Sequence, residues 1–287
     1  MKRKSVSLRQ GGFTLIEMLA ALGIFLLVSG AAFTLLTSSQ QRFRSEAEVL
    51  NSFQEARLGL DQMVRDIDDA GYPPKSFLDV NHPLVSTSFP FGWSPNYTIP
   101  APCVIGTAGG GTCISPTDFD IIVETNPDPN RDPGCAPYCV AQWIRYSLGG
   151  PNGTILMRTV VDKTPSADPV VSTSLTSGAQ VVPFVQNVVN NSPTLQIGQF
   201  QLDTAYPTVF PAGAPVPIFQ YTCDTPISAP QNPPQPCPLL GAPDNSPANI
   251  RDVSITLIVA APLPDGATGR PQLVQLLGRG RRINPNQ

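Results

Sequence analysis

Histidine is nearly absent from this chain of 287 residues; His82 is the only one. It sits beside Pro83 in a loop-like stretch with no nucleophile elbow nearby, which leaves Ser-His-Asp chemistry without a frame. No two cysteines stand at CxxC spacing, and with a single imidazole that leaves no ordinary zinc ligand set. Gly109-Gly110-Gly111-Thr112 lacks the lysine and the strand-to-helix setting of a phosphate loop, so it reads as a turn. Charge is scarce at 14% of residues, with acid exceeding base, a poor footprint for nucleic acid, which needs a basic surface. Proline is missing from the first 72 residues, although the chain holds 33 of them. No span repeats. These absences make an enzyme the weakest class and leave one uninterrupted stretch to organise the chain.

That stretch runs from Phe13 to Leu36, FTLIEMLAALGIFLLVSGAAFTLL, with Glu17 its only charge. As a helix it spans about 36 Å, enough to cross a bilayer core with some tilt. The leader MKRKSVSLRQGG carries Lys2, Arg3, Lys4 and Arg9 and no acid, so the positive-inside rule keeps it cytoplasmic and sends the rest outward. A secretory signal places its small-residue cleavage site after the apolar run; here Gly11-Gly12 precedes it. Glu17 is a costly carboxylate at the edge of hydrocarbon unless a cation meets it. Cleavage between Gly12 and Phe13 would create that cation, the Phe13 α-amine. A helix does not readily fold its terminus onto a side chain one turn along, so a neighbouring copy is the expected partner.

On these residues the N-terminus resembles that of type IV pilins and pseudopilins. In that superfamily a prepilin peptidase cuts after Gly and N-methylates the following Phe. A carboxylate five residues into the mature chain guides packing into a filament. The resemblance therefore assigns Gly12 and Phe13 to cleavage, Phe13 to methylation and Glu17 to assembly. The words LGLDQMVRDIDDAGY, Leu58 to Tyr72, look like the end of the long helix in PilW-type minor pilins and the related J pseudopilin of type II secretion. VVPFVQNVVNN, FQLDT, FQYTCD, IRDVSITLIV and the closing LLGRGRRINP resemble head elements of the same family. Unbroken helices of this kind are typical of minor pilins and pseudopilins.

Past Leu36 the helix is expected to continue. Phe43, Ala47, Leu50, Phe53, Leu60, Val64 and Ile67 recur at spacings of three, four and seven as an apolar face. Arg42, Arg44, Glu46, Glu48, Glu55, Arg57, Asp61, Arg65, Asp66 and Asp68 are read as the wet faces, with Asp66, Asp68 and Asp69 solvated at the helix end. Gly71 followed by Pro73-Pro74 is a stop signal, giving a helix of about 57 residues. Strand patterns follow at Asp118–Glu124, Val140–Leu148, Thr154–Val161, Gln180–Val189, Leu195–Leu202, Pro217–Thr222, Ile250–Ala261 and Gln272–Gly278. The second and third read as a hairpin, and proline between Tyr206 and Ala248 reads as too dense for a central strand. A long helix followed by hairpin-linked strands predicts an α+β fold: a transmembrane first half, then an antiparallel head with long Pro-rich loops. The expected organisation is a cleaved leader 1–12, a membrane or filament-core segment 13–36, its amphipathic continuation 37–72 and a periplasmic or extracellular head 73–287.

Six cysteines lie in the exported part, an even number in an oxidising compartment, which favours disulfides. Near-neighbour pairing gives Cys103–Cys113, Cys135–Cys139 and Cys223–Cys237. Asp128, Asn130 and Asp132 place oxygens at alternate positions, as calcium loops do. Pro133 stands where an EF-hand has glycine, and no Glu follows at the right distance, so a polar turn is the plain alternative. Some pilin heads bind calcium; no other cofactor is expected. Loss of the leader removes four of 18 basic residues and no acidic one, leaving 14 against 21, or about −7. The resemblance implies a non-enzymatic subunit that primes a type IV pilus or sits at its tip. Its partners would be prepilin peptidase, the inner membrane and its assembly platform, and other minor and major pilins. A type II secretion pseudopilin is the nearer rival. A tip adhesin is the other, with Trp93 and Tyr97 as candidate contacts for a surface ligand.

Overall fold

The structure, a computed structural model, describes residues 12–73, 81, 90–92, 105–106, 114–126, 139–163, 181–224, 235–237, 247–265 and 268–283. A single long helix, α1 (Leu15–Asp68), opens the chain, which divides within it into two compact units, Met1–Ala47 and Glu48–Gln287.

In the first unit the helix presents its apolar side chains outward all round: Leu15, Ile16, Leu19, Phe25, Leu27, Phe33 and Leu35 are all exposed. Its threonines are satisfied internally. Thr34 Oγ1 donates to the Gly30 carbonyl at 2.8 Å and Thr37 Oγ1 to the Phe33 carbonyl at 2.9 Å. A helix that satisfies its own backbone and hydroxyls suits an apolar medium. It is long and apolar enough to cross a membrane.

In the second unit the rest of α1 meets two antiparallel sheets. The first has the order β1 (Asp120–Thr125), β2 (Gln142–Gly149), β3 (Ile155–Asp162), β4 (Val181–Val185). Next come β5 (Gln196–Ile197) and β6 (Phe200–Gln201), a small hairpin, then α2 (Leu202–Ala205). The second sheet contains β7 (Phe219–Cys223), β8 (Gln235–Pro236), β9 (Ile250–Ala260) and β10 (Leu273–Arg281), in the order β10-β9-β7-β8. The α+β expectation is met, and the predicted hairpin forms as β2–β3, with Pro151–Gly153 in its turn.

Ala56, Leu60, Met63 and Ile67 of α1 share one core with Ile121, Val123, Ile144, Tyr146, Leu156 and Val185 of the first sheet. Phe219, Tyr221, Val253, Ile255, Leu257 and Val259 of the second sheet complete it. The helix gets this close because glycines stand at its contacts, one on α1 itself and two on β10. A Cβ on Gly59 would come 2.4 Å from Val185 Cγ2, one on Gly278 2.7 Å from Leu60 Cδ1, and one on Gly280 2.5 Å from Ile67 Cγ2. The helix ends at Asp68, and Gly71, at φ +80°, turns the chain so that its N–H reaches the Glu124 carbonyl at 2.8 Å. Asn126 N–H then donates to the Tyr72 carbonyl, and Phe91 bridges to Val123, so backbone from two segments covers the outer edge of β1.

Asn190, wholly buried, knits β9 to the chain that leaves β4. Its Nδ2 donates to the Val216 and Thr256 carbonyls at 3.2 and 2.8 Å, and its Oδ1 accepts the Ile258 N–H at 2.8 Å. Beyond it a second core forms from Val189, Leu202, Phe210, Ile258 and Ala260.

Several expectations need correction. The apolar face of α1 does not start at Phe43: Phe43 and Leu50 are exposed, and continuous burial begins near Ala56, where the sheets begin to cover the helix. Leu195–Leu202 is not one strand but the β5–β6 hairpin running into α2. Gln180–Val189 narrows to β4, with Val188 bridging separately to Val259. β7 lies between β9 and β8 inside the span read as too proline-dense for an interior strand. It escapes because Phe219–Cys223 itself holds no proline, whereas Pro236 lies on the edge strand β8. β9 is buried on both faces near its end, since Ile258 and Ala260 feed the second core.

Candidate functional site at the helix N-terminus

Thr14 precedes the first residue of α1, and Glu17 falls three residues after it. The Thr14 N–H donates to Glu17 Oε2 at 2.9 Å, and the Thr14 hydroxyl donates to the same oxygen at 2.9 Å. The Glu17 N–H points back to Thr14 Oγ1 at 3.4 Å, and the Thr14 carbonyl accepts the Met18 N–H at 3.2 Å. This is a reciprocal capping box: each residue's side chain accepts from the other's backbone, so N–H groups that the first turn would leave unpaired find acceptors. A carboxylate at that end also meets the positive pole of the helix dipole.

The site therefore holds more than the sequence reading assigned to it. Glu17 has an intrachain partner one turn back. Oε1 takes no hydrogen bond among the described residues, and Glu17 is exposed. One oxygen holds the helix start and the other stays open to a cation. The pattern Thr-x-x-Glu ahead of an apolar run is a capping signal legible in the sequence. Gly12 and Phe13 sit just ahead of the cap, both exposed and outside the helix.

Residues 7–33 match the prokaryotic N-terminal methylation motif. No curated protein and no solved structure matches the chain. The methylation motif is a type IV pilin-like signal, and it covers the residues just ahead of the helix, the capping box and most of the exposed apolar helix. Together with that helix it fits membrane anchoring and a pilin-like structural protein.

The other sequence candidates lie apart from the methylation motif. Cys223 and Cys237 form a disulfide across a separation of 14 residues, tying β7 to the segment of β8. Cys139 is buried, while Cys103, Cys113 and Cys135 lie outside the described residues, as do Asp128, Asn130, Asp132, His82, Trp93 and Tyr97.

Asp66 corrects the reading of a solvated helix end. It is buried, and its Oδ2 receives the Tyr146 hydroxyl and Arg158 Nη2, the latter at 3.0 Å. Burial, reinforced by the Asp66 charge, pushes the Tyr146 hydroxyl far above its ordinary value. Asp68 Oδ1 accepts the Arg281 N–H at 2.7 Å, and the Asp69 carbonyl accepts from Thr125 Oγ1 at 3.1 Å. The three aspartates thus pin the helix end to both sheets. On the outer face of the first sheet, Glu124 and Lys163 form a buried ion pair at 2.9 Å, with Trp143 Nε1 3.3 Å from the other Glu124 oxygen.

Proposed function

We propose that this chain is a minor pilin of the PilW type, a non-enzymatic subunit that takes part in priming a type IV pilus or in forming its tip. Prepilin peptidase cuts between Gly12 and Phe13 and methylates the Phe13 amine. The helix then lies in the inner membrane with the head in the periplasm. Glu17 of one subunit meets the Phe13 amine of the next as sister pilins assemble on the inner-membrane platform.

The observation that carries this reading is a methylation motif on a helix whose apolar side chains are exposed all round. That surface is far larger than a soluble monomer tolerates, so it calls for lipid or other helices. The open Glu17 Oε1 supports the charge pairing, because a cation from a neighbour can bind there without dismantling the capping box.

The test is a count of surface pili by electron microscopy in a strain lacking the gene, against a complemented control. Loss of pili is the expected result. Normal pili with a depleted secreted proteome would instead make the chain a type II secretion pseudopilin, and normal pili with normal secretion would leave the adhesin reading.

A further inference from the structure

A cavity of about 630 Å³ opens in the second unit where four elements end. Asp68 closes α1, Asp224 follows β7, Arg251 is in β9, and Arg281, Arg282 and Ile283 finish β10 and the residues after it. Three guanidinium groups face two carboxylates.

Among the described residues, Arg251 and Arg281 keep unspent donors, and Asp68 and Asp224 unspent acceptors. Arg251 Nη1 lies 3.4 Å from Asp224 Oδ1, and Arg281 Nε lies 3.6 Å from Asp252 Oδ1. Among the described residues, Arg251 Nε and Nη2 and both Arg281 Nη atoms have no acceptor. On the acidic side Asp68 Oδ1 takes the Arg281 N–H, while Asp68 Oδ2 and Asp224 Oδ2 accept nothing among the described residues. Arg282 is buried and donates from Nη1 to the Ala248 carbonyl at 2.8 Å. Burial pushes its guanidinium down to about 10 even with Asp224 pulling the other way.

We propose that this cavity binds a small hydroxylated molecule bearing an oxyanion, such as a uronic acid or a sugar phosphate. Planar guanidinium donors match the oxygens of a carboxylate or phosphate. The two carboxylate oxygens would repel a bare anion but accept hydroxyl protons, so the ligand must carry both groups. Exposed Ile283 supplies an apolar wall for a sugar ring. The volume falls within the roughly 300–1,000 Å³ range of small-molecule sites, well above what an inorganic anion fills.

Calorimetry on the full chain in detergent micelles tests this with four probes: glucuronate, glucose 6-phosphate, glucose and inorganic phosphate. At least one of the two acidic sugars should bind saturably, and at least tenfold more tightly than either glucose or phosphate; which one does identifies the oxyanion. Arg281→Gln, at a side chain 59% exposed, should weaken that binding at least tenfold while leaving the melting temperature near wild type. Arg281→Lys, which keeps charge but loses the planar fork, makes the same comparison if the Gln variant does not fold. No binding of either acidic sugar, equal binding of glucose or phosphate, or wild-type affinity in the folded variant would overturn the proposal.

Discussion

Replacing Glu17 with Ala removes the acceptor for Thr14 and, on the proposed reading, the partner for the next subunit's amine. The processed form should still appear in whole-cell immunoblots, while the protein should be strongly depleted from sheared pili. Thr14→Val, which deletes the hydroxyl but keeps the Thr14 N–H bond to Glu17, should incorporate far better; equal loss in both variants would place the effect in the cap and not in the charge pair. Elsewhere, Asn190→Ala leaves the Ile258 N–H and two carbonyls without partners in a closed interior. A buried group stranded in this way costs about 1–3 kcal/mol, to be read as a lower urea midpoint at unchanged slope. Neither role could be read fully from the sequence. The Thr-x-x-Glu cap is a local pattern and was available, whereas nothing beside Asn190 in the chain announces that Val216, Thr256 and Ile258 will surround it.

Between elements, the closest fit is that of α1 on β10. Gly280 faces Ile67, and an added Cβ would sit 2.5 Å from Ile67 Cγ2 and 3.3 Å from the Val64 carbonyl oxygen. Gly280→Ala should therefore destabilise the protein by about 1–3 kcal/mol through overpacking. Leu277→Ala, three residues earlier on the same strand but 72% exposed, should stay within about 0.5 kcal/mol. Thermal unfolding of both variants checks the ordering, which reverses what hydrophobicity alone suggests. The pattern GRGR shows small residues alternating with arginines, but only the helix lying across the strand tells which alternate position must be small. Where one face of a strand is buried and the other wet, as in most of β2, alternation located the strand to within two residues at each end. It failed around Leu195–Leu202, where apolar residues serve a second core through a tight hairpin and one helical turn.

For the second unit as a whole, pH and the disulfide offer separate tests. Burial, then nearby acid charge, holds the Tyr146 and Tyr221 hydroxyls above their ordinary value of 10.0. A raised folded value gives stability that is complete below about pH 10 and is lost as pH climbs toward it. Arg282 has the opposite sign, since its lowered value adds stability as pH rises above about 10. With two tyrosines against one arginine, the melting temperature should fall above pH 10, and the Tyr146→Phe, Tyr221→Phe double variant should flatten that fall. The Cys223–Cys237 bridge closes a loop with a separation of 14 residues. Replacing both cysteines with Ser should cost about 3 kcal/mol in denaturant unfolding, chiefly by freeing the unfolded chain.

Taken alone, the sequence determined the features that depend on near neighbours. The methylation motif, the uninterrupted helix, its stop at Gly71, the β2–β3 hairpin and the long strand β9 all follow from spacing, period or turn chemistry within a few residues. Tertiary structure decided whatever depends on which elements meet. It buried Asp66 under Tyr146 and Arg158, set glycines of β10 against the helix, put Asn190 between strands, split β9 between two cores and gathered three arginines around one cavity. The physical reason is that a side chain's period tells which way it points, while its burial and charge balance are set by residues tens or hundreds of positions away.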